Sequence, residues 1–162
     1  TEFNGARTER PQSLRGTPPI GLRVDGLPLL KPPYGIITAV DMNHGEILWQ
    51  IAHGQTPDRV RSHPALLDLD IPRTGQNASV GTLVTSTLLI AGEAELTSDE
   101  SGVRRAMLRA YDKTTGAEVG ALRMPAPQTG SPMTYQIDGK QYLAIAVSGG
   151  GYSGELIVYK AP

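Results

Sequence analysis

Two stretches of the chain, 71 residues apart, carry one short pattern, and this repeat limits the available folds more than any other feature. Ile37-Thr38-Ala39-Val40-Asp41 runs into Met42-Asn43-His44-Gly45 and then Glu46-Ile47-Leu48-Trp49-Gln50. Met107-Leu108-Arg109-Ala110-Tyr111-Asp112 runs into Lys113-Thr114-Thr115-Gly116 and then Ala117-Glu118-Val119-Gly120-Ala121-Leu122. Each copy reads as a strand, a tight turn and a returning strand. The Asp can accept backbone N–H groups across the turn, and the Gly supplies the positive φ that the turn needs.

Other segments extend the pattern. Residues 81–92 read as two short strands broken near Ser86-Thr87. Residues 131–137 and 141–147 flank Asp138-Gly139, a strong hairpin signal between β-prone runs, and residues 154–159 alternate as a last strand. The sum is roughly nine strands: the outer pair of one sheet, one whole four-stranded sheet, and three strands of another. Such repetition is the mark of a β-propeller, whose four-stranded blades pack face to face. The reading is therefore all-β: a partial β-propeller of about two to three four-stranded antiparallel blades, with residues 36–162 forming the blades. The 71-residue spacing exceeds one blade, and a long inter-blade insertion over 54–80, loop-like in composition, takes up the excess. Residues 1–35 hold six prolines and no hydrophobic period, which predicts an extended arm or loop lying on a surface made elsewhere. A three-stranded last sheet predicts an open edge, and two blades and a part cannot close a ring.

Composition agrees and removes several functions. Gly 19 and Pro 13 in 162 residues favour many turns over long helices. A net charge of −1 gives no reason to expect nucleic acid or an anionic membrane surface as partner. The chain has no cysteine, so disulfides and thiolate metal sites are excluded. No apolar run approaches the roughly 18 residues of a membrane span. The first residues lack the basic-then-apolar layout of a signal peptide, so any targeting signal is expected outside this stretch.

The first repeat, Ala39-Val40-Asp41-x-x-x-Gly45-Glu46-x-x-Trp49, resembles the tryptophan-docking motif of the pyrroloquinoline-quinone (PQQ)-dependent quinoproteins, in which the Trp packs between adjacent blades of an eight-bladed ring. The second copy departs from it, with Gly120 where the Trp would stand. Residues 26–35, 54–66, 125–135 and 148–155 are similar, in that order, to successive segments of the membrane-type glucose dehydrogenases of this family. The resemblance covers nearly all of residues 26–160. It implies the C-terminal portion of a periplasmic PQQ-dependent sugar or alcohol dehydrogenase, with PQQ and calcium as cofactors of the parent enzyme and none held by this chain alone. The family's catalytic Asp, its PQQ-contacting Lys and its Ca²⁺ ligands have no counterpart here. Ser79-Val80-Gly81-Thr82 aligns with the turn that approaches the quinone edge, so Gly81 and Thr82 are the implied cofactor contacts; only Gly81 remains of the family's glycine pair. In the C-terminal loop some glucose-oxidising members place a substrate-touching His where this chain has Tyr152. Tyr152 is thus the implied substrate contact, and the change sets glucose itself in question. The implied partners are the remaining blades of the parent chain, or a second copy.

Other residues are read as structural. Trp49 at a repeat position is expected to pack between blades rather than stack on a ligand. Asp41 and Asp112 are expected to serve their turns. His53 and His63, which could join Asp58, Asp68 or Asp70 around a metal, lack a recognised ligand spacing and are expected to be polar loop residues. Arg104, Arg105 and Arg109 are expected to be solvated. Gly149-Gly150-Gly151 precedes a strand, not a helix, and does not read as a phosphate loop. A second function stays open: a non-catalytic, quinoprotein-like propeller scaffold or interaction fragment.

Overall fold

The computed structural model describes residues 23–77 and 79–161. Most of the proline-rich arm, residues 1–22, lies outside them. Its remainder is a short hairpin, β1 (Arg23–Val24) and β2 (Leu27–Pro28), turning through Asp25 and Gly26 at φ 51° and 85°. It belongs to a separate unit from residues 31–162.

The unit of residues 31–162 carries three antiparallel sheets. The first pairs β3 (Ile36–Asp41) with β4 (Glu46–Ala52). The second is the complete four-stranded blade, β5 (Leu83–Val84), β6 (Leu88–Gly92), β8 (Arg104–Asp112) and β9 (Glu118–Met124), with the two-residue β7 (Thr97–Ser98) added on β8. The third joins β10 (Met133–Ile137), β11 (Lys140–Gly149) and β12 (Tyr152–Lys160). Unclosed sheets of this kind are those of a partial propeller, as the repeat predicts. Within this unit only β7 escapes the count of nine, and the hairpin β1–β2 of the arm escapes it too, because two-residue strands leave no alternation to read.

The two repeats pair in the same register. Ala39 faces Trp49 and Ala110 faces Gly120, and a bulge follows each, at Ala39/Val40 and at Ala110/Tyr111. Their turns obey the expected chemistry. Asp41 Oδ1 accepts Asn43 N–H at 2.8 Å, and Asp112 Oδ1 accepts Thr114 and Thr115 N–H at 2.9 and 2.8 Å. Gly45 and Gly116 sit at φ 70° and 74°. The third hairpin turns at Asp138 and Gly139, φ 50° and 73°, as the Asp-Gly pair demands.

Side chains interlock the sheets on both faces of the second. Leu89, Ala91 and Tyr111 pack with Ile37, Trp49 and Ile51 of the first sheet. Ala106, Leu108, Met124 and Ala126 pack with Ile145 and Val147 of the third. Alternation on β8 explains the division, since successive side chains point to opposite faces. Trp49 docks as expected: its indole N–H donates to the Lys113 carbonyl at 3.1 Å, across the turn of the next sheet. A Cβ on Gly116 would lie 2.8 Å from the indole ring, so glycine there serves both the turn and the docking. The outlying sheets leave Ile47, Leu48, Leu156 and Val158 exposed, an apolar surface of the kind that marks contact with further protein.

Because neighbouring strands run antiparallel, the two ends of the stack differ. The turns at 42–45, 85–87, 113–117 and 138–139 share one end. Residues 53–82, 93–103, 125–132 and 150–151 connect strands at the other. The insertion is built up there by a single helical turn, α1 (Asp58–Arg61), and a 3-10 turn at Pro64–Leu66, capped by His63 Nδ1 accepting Ala65 N–H.

The two turn glycines separate the cost of strain from the cost of lost docking. Gly45 has open space around its Cβ position, so Gly45→Ala should lose about 1–2 kcal/mol through its positive φ alone. Gly116→Ala should lose more, because the methyl also displaces Trp49. Denaturant midpoints of the two variants provide the comparison.

Candidate functional site

The end bearing the long connections collects every residue implied for a site. Gly81 and Thr82 stand at the start of β5, and Tyr152 opens β12 after the glycine turn. A groove of about 550 Å³ runs between the first and second sheets, along the edge of β3 that no described strand covers. Thr82 lines it with Ser79, Val80, Gln76, His53 and Lys113; Tyr152 lies outside it. Its polar groups are hydroxyls, an amide, an imidazole and an ammonium, with no carboxylate. His53 and Gln76 spend both of their polar atoms on partners within the protein, so the hydroxyls and the Lys113 ammonium are what the groove offers an acidic quinone. Among the described residues no group of three or more His, Asp or Glu side chains could hold a metal ion.

Gly81 has a packing reason of its own. A Cβ there would fall within 2.7 Å of the Ser131 Cα and Cβ atoms, which lead into β10. Its carbonyl accepts from Gln128 Nε2 at 2.7 Å. Tyr152 packs its ring against the core between the second and third sheets, and its hydroxyl donates to Glu155 Oε2 at 2.7 Å. That carboxylate acceptor holds the phenol proton more firmly than usual, so Tyr152 is no base at neutral pH.

Four buried polar residues organise this end, Arg109, Glu93, His53 and Gln128, and the sequence reading foresaw the burial of none of them. Arg109 is 3 % exposed, not solvated. Its Nη2 and Nε donate to Glu93 Oε1 at 2.8 and 3.0 Å, and its Nη1 to Glu118 at 2.8 Å; Arg73 of the insertion meets Glu118 at 2.7 Å. Alternation places Arg109 beside Tyr111 on the face turned to the first sheet, where bulk water is excluded. Arg104 remains exposed as expected, and Arg105 lies near Asp99 at 3.6 Å. Glu93, wholly buried, also accepts Gln55 and Met107 N–H at 2.9 and 3.0 Å, which satisfies both its oxygens. His53 is the loop residue that follows β4 directly, but at 6 % exposure it is buried and bridges two sheets. A carbonyl can only accept, so His53 Nε2 carries the proton given to Gly92 O at 3.1 Å, and Nδ1 accepts from Tyr111 Oη at 2.9 Å. Burial pushes the Tyr111 phenol up to about 12, which keeps that donor protonated. Gln128, 4 % exposed, is the fourth. No periodicity marks these residues; only the cross-sheet partners reveal them.

The insertion is tied down by the same end. Asp58 accepts Ser98 N–H and Oγ–H, Arg59 meets Glu95 at 3.0 Å, and Gln76 exchanges two hydrogen bonds with the Glu95 backbone.

Two outcomes follow from these contacts. Arg109→Leu leaves Glu93 buried without its cation and should cost about 3–5 kcal/mol, with part regained in the Glu93→Gln/Arg109→Leu double variant; urea midpoints report both. Burial lowers the His53 pKa, so the folded protein resists a proton that the unfolded chain takes up near pH 6.5. Its contribution is full above about pH 6.5 and is lost as pH falls toward the lowered folded value. Thermal midpoints should therefore drop as pH falls below about 6.5, and His53→Gln should flatten that part of the profile. The carboxylates with lowered values, Asp41, Asp58, Asp99 and Asp112, act further down, below about pH 4.

The sequence profile described as "PQQ: Glucose/ethanol/alcohol dehydrogenase, beta-propeller domain" matches residues 5–143. The chain is 33% identical over 169 residues to the glycerol dehydrogenase large subunit of Gluconobacter thailandicus, an alignment covering 99% of this chain and 21% of that protein. It is 32% identical over 143 residues to quinoprotein glucose dehydrogenase A of Acinetobacter calcoaceticus, covering 85% of this chain and 16% of the relative. The quinoprotein glucose dehydrogenase of Escherichia coli is 32% identical over 133 residues, 80% of this chain and 15% of its own length. The chain thus spans about a fifth or less of the curated relatives it matches. With a profile match over most of its length on a stack of open antiparallel blades, the chain belongs to the PQQ-dependent dehydrogenase β-propeller family.

Proposed function

We propose that the chain is the C-terminal part of a periplasmic PQQ-dependent sugar or alcohol dehydrogenase and forms part of the mouth of its active site. The observation that carries this reading is the gathering of Gly81, Thr82 and Tyr152 at one end of the stacked sheets, in a chain of this family. When bound, the quinone supplies the hydride acceptor for a substrate C–OH. This chain adds a backbone turn at Gly81 and the Thr82 hydroxyl on the cofactor side, and Tyr152 on the substrate side. The Tyr152 hydroxyl already donates to Glu155, so it offers substrate its oxygen lone pairs and ring face rather than a proton. The proton-accepting Asp and the Ca²⁺ ligands belong to blades outside these residues, and those blades cover the exposed apolar faces of the first and third sheets.

The full-length gene product, loaded with PQQ and Ca²⁺, should reduce an artificial electron acceptor with a sugar or alcohol. Residues 1–162 alone should not. Turnover by the 162 residues would overturn the reading of an incomplete site, and a full-length protein that oxidises no sugar or alcohol would favour the scaffold. Tyr152→Phe should raise KM about fivefold and leave kcat near its original value, as loss of one neutral hydrogen bond to bound substrate does.

A further inference from the structure

The ladder between β5 and β6 is interrupted in an unusual way. Its register pairs Leu83 with Ile90 and Val84 with Leu89, and Thr85 N–H donates to Leu88 O at 2.8 Å. Hydrogen-bonded pairs alternate along an antiparallel ladder, so the pairs 85/88 and 83/90 place the next rung at Gly81 and Gly92. That rung is made by a side chain. Gln128 Oε1 accepts Gly92 N–H, and Gln128 Nε2 donates to Gly81 O at 2.7 Å. Its second amide hydrogen goes to Gly130 O at 2.7 Å. Each partner is donor-only or acceptor-only, so the orientation of the amide is fixed and both its hydrogens are used. The Gln128 backbone is held as well, its N–H donating to Glu93 O at 2.9 Å.

The amide therefore holds the start of β5 one side chain's width away from β6, where a direct rung would draw it in. It also sets one peptide plane. The Gly81–Thr82 bond is trans, so with Gly81 C=O turned through Gln128 toward β6 the Thr82 N–H points the opposite way, off the edge of β5 that no described strand covers. Thr82 lines the groove between the first and second sheets.

We propose that Gln128 is a positioning residue for the cofactor, acting through Gly81: it props the turn open and aims the Thr82 N–H toward the quinone. This deepens the assignment of Gly81 and Thr82 and rests on it. Gln128 itself touches no ligand, because both of its polar atoms are spent on backbone.

Gln128→Glu keeps the size and the bond from Gly92 but cannot donate to Gly81. In the full-length protein with Ca²⁺, this variant should bind PQQ about tenfold more weakly and shift the absorption band of the bound quinone. Tyr159→Phe is the control: it removes a 3.2 Å bond from the third sheet to Arg123 O and loosens the same pair of sheets without touching Gly81. It should lower the thermal midpoint and leave PQQ affinity and spectrum unchanged. Thr82→Val tests the underlying assignment and should also alter the bound-quinone spectrum. If Thr82→Val alters it and Gln128→Glu does not, the positioning role is overturned and the assignment stands. If neither does, both fall. Should Gln128→Glu fail to fold, Gln128→Asn, which keeps both halves of the amide but draws Gly81 toward Gly92, is read by the same two measurements, and an unchanged affinity and spectrum would overturn the role.

Discussion

A carboxylate with no exposure at all, Glu93, sits where the connections of three sheets converge, and the architecture of that end depends on its being satisfied. An ionised carboxylate in such a place is tolerable only with a cation and enough hydrogen-bond donors. Glu93 obtains them from different parts of the chain: Arg109 in the middle of β8, the Met107 amide on the same strand, and the Gln55 amide at the start of the insertion. Its own carbonyl then receives Gln128 N–H from the connection into the third sheet. One buried charge thus fixes the insertion, the second sheet and the approach to the third relative to each other. Apolar contacts bring the sheets together, and this directional cluster selects one arrangement of their connections.

What the sequence discloses and what it hides divides along physical lines. The hairpins were legible because their determinants are local: an Asp two residues from the amide it accepts, a Gly at positive φ, an Asp-Gly between alternating runs. Trp49 was legible because it sits at a repeat position. Arg109 was misjudged because alternation predicts that two faces exist but not that both are covered; in a sheet packed on either side, the polar face is interior too. His53 looked like a loop residue beside Gly54, yet its environment is made by Gly92 and Tyr111, 39 and 58 positions away. Of the implied contacts, Gly81, Thr82 and Tyr152 could be placed at one end of the stack by strand direction alone. Their detailed surroundings depend on Ser131, Gln128 and Glu155, and no local pattern foretells those pairings.

The repeats also show how equal backbones support unequal joints. Ala39/Trp49 and Ala110/Gly120 occupy the same register beside the same bulge, so the strand geometry does not depend on the indole. In the first copy the indole finds a glycine turn on the next sheet. In the second, Gly120 has open space around its Cβ position, and the contact between the second and third sheets is carried instead by Met124, Ile145, Val147 and their neighbours. The blade is a fixed frame on which each joint is filled separately.

The docking of Trp49 gives the chain a built-in optical gauge. It is the only tryptophan in the sequence, and it lies wholly on the joint between the first and second sheets. Its emission therefore reports the parting of those two sheets and is silent about the third. A loss of signal that precedes the collapse of the β-sheet circular dichroism band would read as one blade swinging free while the others stay stacked.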